Sequence, residues 1–444
     1  MNASWTKYLP GFVRRNIDGR QQLQKAIGNT GWLMSEKLLR MAVGLLVNVW
    51  MARYLGPDNF GQLSYAIAFA GLFVPLVTLG LDEIVIRNIV REPGCTDETL
   101  GTAFVLKLVG GVAAFAVATI TVMVVRPADT LSHWLVAIIA AGSLFQSLNI
   151  IDIWFNSQVQ TRYAVLPRNV TFLVCTVIRI ALILNQAPLI AFAFVVTLEA
   201  ALAAAGLVIM YRTRVGTFRQ WHATLPVARN LLRDCLPLLL SFVSVGIYQR
   251  IDQVMLQEMS GSSEVGIYSV AVRLSEVWAF IPNAIFWSVY PSIVKAKQVG
   301  DEFFHARLQK FYNLVVLLAY AVAVPMTFCS QWLVDVLFGE AYTRAGLMTA
   351  WLIWAHVFIS LEIAKSAFLA TMNWYKIYFI SVFSGCLLNI LLCYFLIPRY
   401  GGMGAVAASI VAYWFVAHGS CYLFRQTFRA GQMIGKSLLF PRCW

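Results

Sequence analysis

The sequence predicts an all-α, polytopic membrane protein of twelve transmembrane helices in two six-helix lobes. Three observations lead there: an apolar composition, twelve apolar runs of spanning length with basic residues gathered on one side of them, and a repeat relating the two halves. Of 444 residues, 59% are hydrophobic and 12% charged, with a mean hydropathy of +0.71. Ordinary soluble domains carry about 25% charged residues. A soluble chain of this length would need polar surface for two or three domains, which 34 basic and 21 acidic residues cannot supply.

The elements follow in chain order. Residues 1–28 carry Lys7, Arg14, Arg15, Arg20 and Lys25 but no apolar stretch of a cleavable signal. They read as a cytoplasmic segment, with the first span acting as the insertion signal. A spanning helix needs about 20 mostly apolar residues. Runs bounded by Gly, Pro, Asn and charge clusters place spans near 29–52, 60–80, 100–125, 131–155, 163–185 and 188–211, an N-terminal lobe over 29–211. Only Asn185-Gln186-Ala187-Pro188 separates the fifth span from the sixth. A cytoplasmic linker, 212–233, leads to spans near 234–257, 264–290, 311–333, 345–371, 375–397 and 402–424, a C-terminal lobe over 234–424. Residues 425–444 read as a cytoplasmic tail.

Charge orients the stack. With the N-terminus inside, 22 of the 34 Lys and Arg fall in cytoplasmic segments and four, Arg53, Arg126, Arg344 and Arg399, in the opposite loops. Positive residues mark the cytoplasmic side, so both termini are expected there. The same bias accounts for the net charge of +13 without invoking nucleic acid. Eight cysteines show no C-x-x-C and no metal spacing, which predicts neither a disulfide framework nor a zinc site. Gly435-Lys436-Ser437 lacks the first glycine and the preceding strand of a phosphate-binding loop. The outer loops are too short for the active site of a membrane glycosyltransferase or polymerase. No nucleotide-binding domain is present for primary pumping.

The repeat lies at an offset of 205 residues. Gly56-Pro57-Asp58-Asn59-Phe60-Gly61-Gln62-Leu63-Ser64-Tyr65-Ala66 matches Gly261-Ser262-Ser263-Glu264-Val265-Gly266-Ile267-Tyr268-Ser269-Val270-Ala271 at both glycines, the serine and the last alanine. The copies fall between spans one and two and between spans seven and eight. Glycine supplies the outer turn and the apolar run begins the return helix. Two parallel six-helix halves follow, and transporters built this way hold substrate between their halves.

Charged groups at membrane depth cost roughly 2.5–3.5 kcal/mol each on insertion scales, so they mark function by default. The spans enclose Lys37, Arg40, Lys107, Arg168, Arg179, Arg250, Arg273 and Lys365 against Glu36, Asp152, Glu199, Asp252, Glu276 and Glu362. At about 1.5 Å per residue, Arg40, Glu199, Arg273 and Glu276 lie near the midplane, and Arg179, Arg250 and Asp252 toward the outer half. Lys107, Arg168, Asp152, Glu362 and Lys365 lie near the cytoplasmic ends, where snorkelling explains them. Glu36–Arg40, Arg273–Glu276 and Glu362–Lys365 have the spacing of pairs along one helix. Arg250 and Asp252 are two apart and are expected to pair across helices. Arg179 has no acid within four residues, and Glu199 no base. Glu199 is open either to proton transfer or to pairing with Arg179. The cationic excess suits an anionic cargo, because the Arg fork matches phosphate oxygens. Lys37, Arg40, Arg179, Arg250 and Arg273 are the candidate binding cations. Glu36, Glu199, Asp252 and Glu276 are the candidate coupling or ion-pair acids. Trp278 and Trp354 are candidates to stack on sugar rings.

Several segments together resemble the polysaccharide transporter family: Ala52-Arg53-Tyr54-Leu55-Gly56-Pro57-Asp58-Asn59-Phe60-Gly61, Gln249-Arg250-Ile251-Asp252-Gln253-Val254-Met255-Leu256, Leu337-Phe338-Gly339-Glu340-Ala341-Tyr342 and Tyr400-Gly401-Gly402-Met403-Gly404-Ala405. This family holds Wzx-type flippases for O-antigen and related repeat units, within the multidrug/oligosaccharidyl-lipid/polysaccharide exporter superfamily. The resemblance implies two six-helix lobes around a central cavity and passage of undecaprenyl-pyrophosphate-linked oligosaccharide to the periplasmic leaflet of a bacterial inner membrane by cation-coupled alternating access. It carries over Arg40, Arg250 and Arg273 as cavity cations. A monomer is expected, with membrane lipids, the lipid-linked oligosaccharide and a polymerase and chain-length regulator of the pathway as partners. No catalytic residue, metal, cofactor or nucleic acid is expected. The competing readings are a small-molecule or multidrug antiporter of the same superfamily, which would favour an acidic cavity, and a membrane-embedded transferase or polymerase.

Overall fold

The computed structural model describes residues 21–441, with the side chains of all but 21–35, 38, 237, 238 and 287. The basic side chains from Lys7 to Lys25 and the last three residues of the tail therefore lie outside the described residues. Among the described residues all regular structure is helical. The N-terminal half comprises α1 (Gln21–Gly71), α2 (Val74–Thr78), α3 (Leu81–Arg91), α4 (Thr96–Val125), α5 (Thr130–Gln146), α6 (Ile150–Ser157), α7 (Arg162–Leu184) and α8 (Leu189–Arg214). The C-terminal half comprises α9 (Leu225–Tyr248), α10 (Ile251–Ser260), α11 (Ser262–Glu276), α12 (Phe280–Val299), α13 (Asp301–Phe338), α14 (Arg344–Thr371), α15 (Tyr375–Tyr400), α16 (Gly402–Ala417) and α17 (Phe428–Leu439).

Among the described residues ten helices are long and apolar enough to cross a membrane, or eleven if the bent pair Leu225–Leu236 and Leu239–Ser260, meeting at 51°, is one span. The chain is thus a multi-pass membrane protein. One of the ten, Leu39–Arg91, is 53 residues, about 80 Å if straight against a hydrocarbon core of about 30 Å. It is not straight. Gly56 sits at φ 70°, ψ 171° inside α1, and Gly261 at φ 86°, ψ 175° between α10 and α11. This is backbone space that side chains exclude, essentially reserved for glycine. The two copies of the repeat therefore fold alike. The likeness continues down the return helix: α1 ends at Gly71 and α11 at Glu276, again 205 residues apart, each followed by a short irregular turn.

Apolar packing places the halves. One core joins both at the end carrying the Gly56 and Gly261 turns, where Ala52, Phe60 and Leu63 pack with Leu256, Tyr268 and Tyr342. Toward the opposite end the cores separate. Leu81, Ile84, Leu100 and Phe155 belong to one, and Phe304, Phe311, Leu361 and Ile434 to another. The halves are closed on each other at the turn end; toward the end that carries α17 they keep separate cores and meet there through α9, where Arg87 pairs with Asp234 at 2.6 Å.

Two boundaries differ from expectation. The second span does not stop near residue 80 but continues through α3, whose Leu81, Ile84, Val85 and Ile89 are buried. The seventh helix begins at Leu225, inside the expected linker, and its Leu231 and Cys235 pack in the core of the N-terminal half. The short connection before it is fixed rather than free. Thr224 binds Thr102 and Glu98, and a Cβ on Gly101 would strike the His222 backbone.

Candidate functional site

Six of the intramembrane charges of the N-terminal half form one connected network. Glu36 and Arg40, one turn apart on α1, meet at 3.4 Å. Arg168 on α7 bridges Glu36 and Asp152 of α6, each at 2.8 Å. Glu199 on α8 takes Arg40 at 3.2 Å on one oxygen and Arg179 at 2.8 Å on the other. Arg40 also donates to the Arg168 carbonyl at 2.9 Å and stacks over the Phe172 ring at 5.0 Å. Three cations face three carboxylates, so mutual pairing offsets the desolvation of each. The expected Arg179–Glu199 pair is formed. With both oxygens held by guanidiniums, Glu199 has the geometry of a counter-ion.

Several expectations need correction. Lys107 and Lys365 do not snorkel, being 2% and 1% exposed. Lys107 meets Asp82 at 2.5 Å, a residue expected in a cytoplasmic loop. Lys365 does not pair with Glu362. Its ammonium donates to the Val416 carbonyl and to Ser420 at 3.0 Å, capping the C-terminal end of α16, where backbone carbonyls lack helical partners. Glu362 accepts instead from Tyr248 at 2.7 Å. Asp252 has no cross-helix cation either. It accepts from Tyr268, from Ser409 at 3.3 Å and from its neighbour's N–H, that of Gln253, at 2.8 Å. Trp278 and Trp354 pack with Met326, Ile353 and Val357 inside the C-terminal half, and Trp354 donates to Thr327 at 3.0 Å. Asp82 joins the intramembrane acids as the partner of Lys107.

What remains is more localised. Among the described residues Lys37, Arg250 and Arg273 are the intramembrane cations with neither an acid within 4.0 Å nor a hydrogen-bonded cap, and they come from α1, α9–α10 and α11. The Arg273–Glu276 ion pair expected along α11 is not formed. Arg273 instead lies within electrostatic reach of Arg250 and Arg179 as well as Glu276. Charges on both halves therefore act on Arg273. Arg250 occupies the break between α9 and α10 and lines a cleft of about 450 Å³ against the broken second span, with Gly71, Thr78, Asp82, Glu83 and Gly246. Small residues make the room: a Cβ on Gly71 would reach the Arg250 side chain at 3.9 Å, and one on Gly246 would press on Pro75 at 3.1 Å. Interrupted helices at membrane depth leave backbone polar groups that a cavity or its occupant must satisfy.

Sequence reasoning missed Asp82, Tyr268 and Ser409. The spacing of Leu81, Ile84, Val85 and Ile89 carries the signal that the second helix runs on and places Asp82 opposite Lys107. For Tyr268 and Ser409 no local signal exists, since they reach Asp252 from other helices. Among the described residues no group of three potential metal ligands comes together.

A profile of the family described as "Polysaccharide biosynthesis protein" matches residues 26–297. No curated protein matches. Among solved structures, an inward-facing conformation of a multidrug resistance MATE family transporter of the MOP superfamily superposes with a TM-score of 0.73 at 14% identity, covering 90% of this chain and 96% of that one. The outward-facing conformation of such a transporter gives 0.64 at 14% identity, covering 94% and 97%. Lipid II flippase MurJ in an inward closed conformation gives 0.71 at 14% identity, covering 94% and 91%. At this identity the likeness establishes the fold, that of MOP superfamily transporters.

Proposed function

The chain belongs to the polysaccharide biosynthesis protein family, and from that premise we propose that it is a flippase moving undecaprenyl-pyrophosphate-linked oligosaccharide repeat units from the cytoplasmic to the periplasmic leaflet of a bacterial inner membrane. The observation that carries the reading is Arg250, which has no acid within 4.0 Å among the described residues and lines a cleft between the halves at the break between α9 and α10. A diphosphate presents oxygens that guanidinium forks bind bidentately. The polyprenyl tail needs no polar site and stays in the bilayer while the headgroup crosses.

On this reading the chain crosses the bilayer twelve times. Gly56 divides the 53-residue apolar stretch in two, and the bent pair ending at Ser260 adds one more crossing. We orient the termini, and the end where the halves keep separate cores, to the cytoplasmic side by the positive-inside rule. The cargo enters there, the halves rock, and the site faces the periplasm. Coupling to a cation is assigned to Asp252 rather than Glu199, because Glu199 is held by two guanidiniums whereas Asp252 is buried among hydroxyls and a backbone N–H with no ion pair within 4.0 Å among the described residues. Asp252→Asn keeps those hydrogen-bond partners but removes the charge. Export by this variant should lose its dependence on the cation gradient, and an unchanged dependence would exclude Asp252 from coupling.

Deleting the gene should leave lipid-linked repeat units in the inner leaflet and surface polysaccharide missing, both restored by a plasmid copy. Persistence of surface polysaccharide in a strain with no redundant transporter would refute the flippase reading. A multidrug antiporter is the second reading, favoured by the MATE superposition. Drug sensitivity unchanged by deletion distinguishes the two.

A further inference from the structure

The two halves meet most closely through backbone rather than side chains, at positions related by the repeat. A Cβ on Gly61 would collide with the Ser262 carbonyl and lie 2.9 Å from the Gly266 nitrogen. One on Gly266 would collide with the Pro57 carbonyl and lie 3.1 Å from the Pro57 Cα. Pro57 and Ser262 are 205 residues apart, as are Gly61 and Gly266. Each contact is therefore the other with the halves exchanged, as about a two-fold axis running through the crossing of α1 and α11.

Around this crossing the halves are tied by a few replaceable bonds. Tyr342 donates to the Ala52 carbonyl at 2.8 Å, Arg53 to the Val336 carbonyl at 2.6 Å, and Arg126 meets Glu258 at 3.5 Å. Gln62, Gln257 and Ser269 each bury an oxygen there that bonds to no other described group. Such oxygens disfavour the closed arrangement and become hydrated when it opens.

We propose that Gly61 and Gly266 form a symmetric, releasable seal that closes the cavity at the turn end, and that their lack of side chains sets the balance between the closed and open states of that end. Backbones in contact pack closely through dispersion and weak Cα–H···O contacts, which separate at low cost. A methyl group on either glycine cannot be accommodated while the seal is shut, because the atoms it meets are backbone. Replacing either glycine by alanine therefore destabilises the closed arrangement and leaves the open one untouched, so the population shifts. The inference rests on the alternating-access reading but not on the identity of the cargo.

The test uses full-length protein with the native cysteines replaced and Thr78→Cys as a reporter in the cleft. A membrane-impermeant maleimide added to intact cells labels position 78 when the turn end opens. Gly61→Ala and Gly266→Ala should each raise the labelling rate on the order of tenfold, and the double variant further. Labelling equal to the parent at equal protein level overturns the proposal. Should the alanine variants fail to accumulate, Phe60→Cys with Tyr342→Cys provides the second test, since these rings lie 6.3 Å apart across the seal. Joining them with a short bis-methanethiosulfonate should stop export until a reductant is added. Undiminished export by the joined protein overturns the seal. If position 78 labels as expected while gene deletion leaves surface polysaccharide intact, the cargo assignment fails and the seal stands.

Discussion

Replacing Glu199 by Gln tests whether the N-terminal charge network is scaffold or machinery. Glu199 is the only acid within 4.0 Å of Arg179 among the described residues, at 2.8 Å, while Arg40 keeps Glu36 at 3.4 Å and the Arg168 carbonyl at 2.9 Å after the change. The loss therefore falls mainly on Arg179. Breaking a fully buried pair by removing one partner costs about 3–5 kcal/mol. Here the side chains are 17% and 20% exposed, so water screens part of the charge and about 2–3 kcal/mol is expected. Arg179→Gln should cost a similar amount, and the double variant less than the sum, because neither charge is then left alone. Unfolding of the purified protein in detergent, followed by tryptophan fluorescence, measures all three. The reasoning is refuted if Glu199→Gln keeps its stability yet abolishes export, and the double variant stays inactive. That outcome would make Glu199 a carrier rather than a counter-ion.

Two further outcomes follow. Arg250→Ala and Arg273→Ala should lower export severely with unfolding midpoints near the parent's, since neither holds an acid within 4.0 Å, and Lys should rescue only in part because it lacks the bidentate fork; full export by both Ala variants removes them from the site. At the turn end, burial pushes the Asp129 carboxyl up, but the Ser132 backbone N–H and hydroxyl, with Arg126 and His133, together hold it below its usual value. A depressed carboxylate contributes stability above the unfolded value of about 3.9 and loses it as pH falls through the folded value. Asp129→Ala should thus cost about 1 kcal/mol at pH 7 and less in strong acid, as thermal unfolding at the two pH values would show; an equal cost at both contradicts the charge argument.

Much of the architecture is legible because it rests on short-range physics. Solvation by lipid dictates the apolar runs, and the Gly56 and Gly261 turns demand a residue without Cβ, so the repeat survives in the sequence as glycines at matched places. The lower second span is less legible, as Asp82, Glu83 and Arg87 interrupt its hydropathy and only the spacing of Leu81, Ile84, Val85 and Ile89 shows the helix continuing. In the site, the Glu36–Arg40 pair was readable from its one-turn spacing, and Arg179 with Glu199 from each lacking a local partner. Arg273–Glu276 and Glu362–Lys365 have similar spacing and do not pair; for the second, a hydroxyl of Tyr248 and the Val416 carbonyl with Ser420 take the two charges instead.

The sequence by itself determined the lipid environment, the apolar runs and their twofold repetition, and that charges lie at membrane depth. Tertiary structure alone decided which of those charges are spent on one another and which stay free. Arg168 and Arg179 are taken by acids on other helices, while Arg250 and Arg273 have no acid within 4.0 Å among the described residues, and Arg250 lines the cleft between the halves. The reason is geometric. Pairing depends on distances of a few ångströms between helices far apart in the chain, and no rule of spacing along one helix contains them.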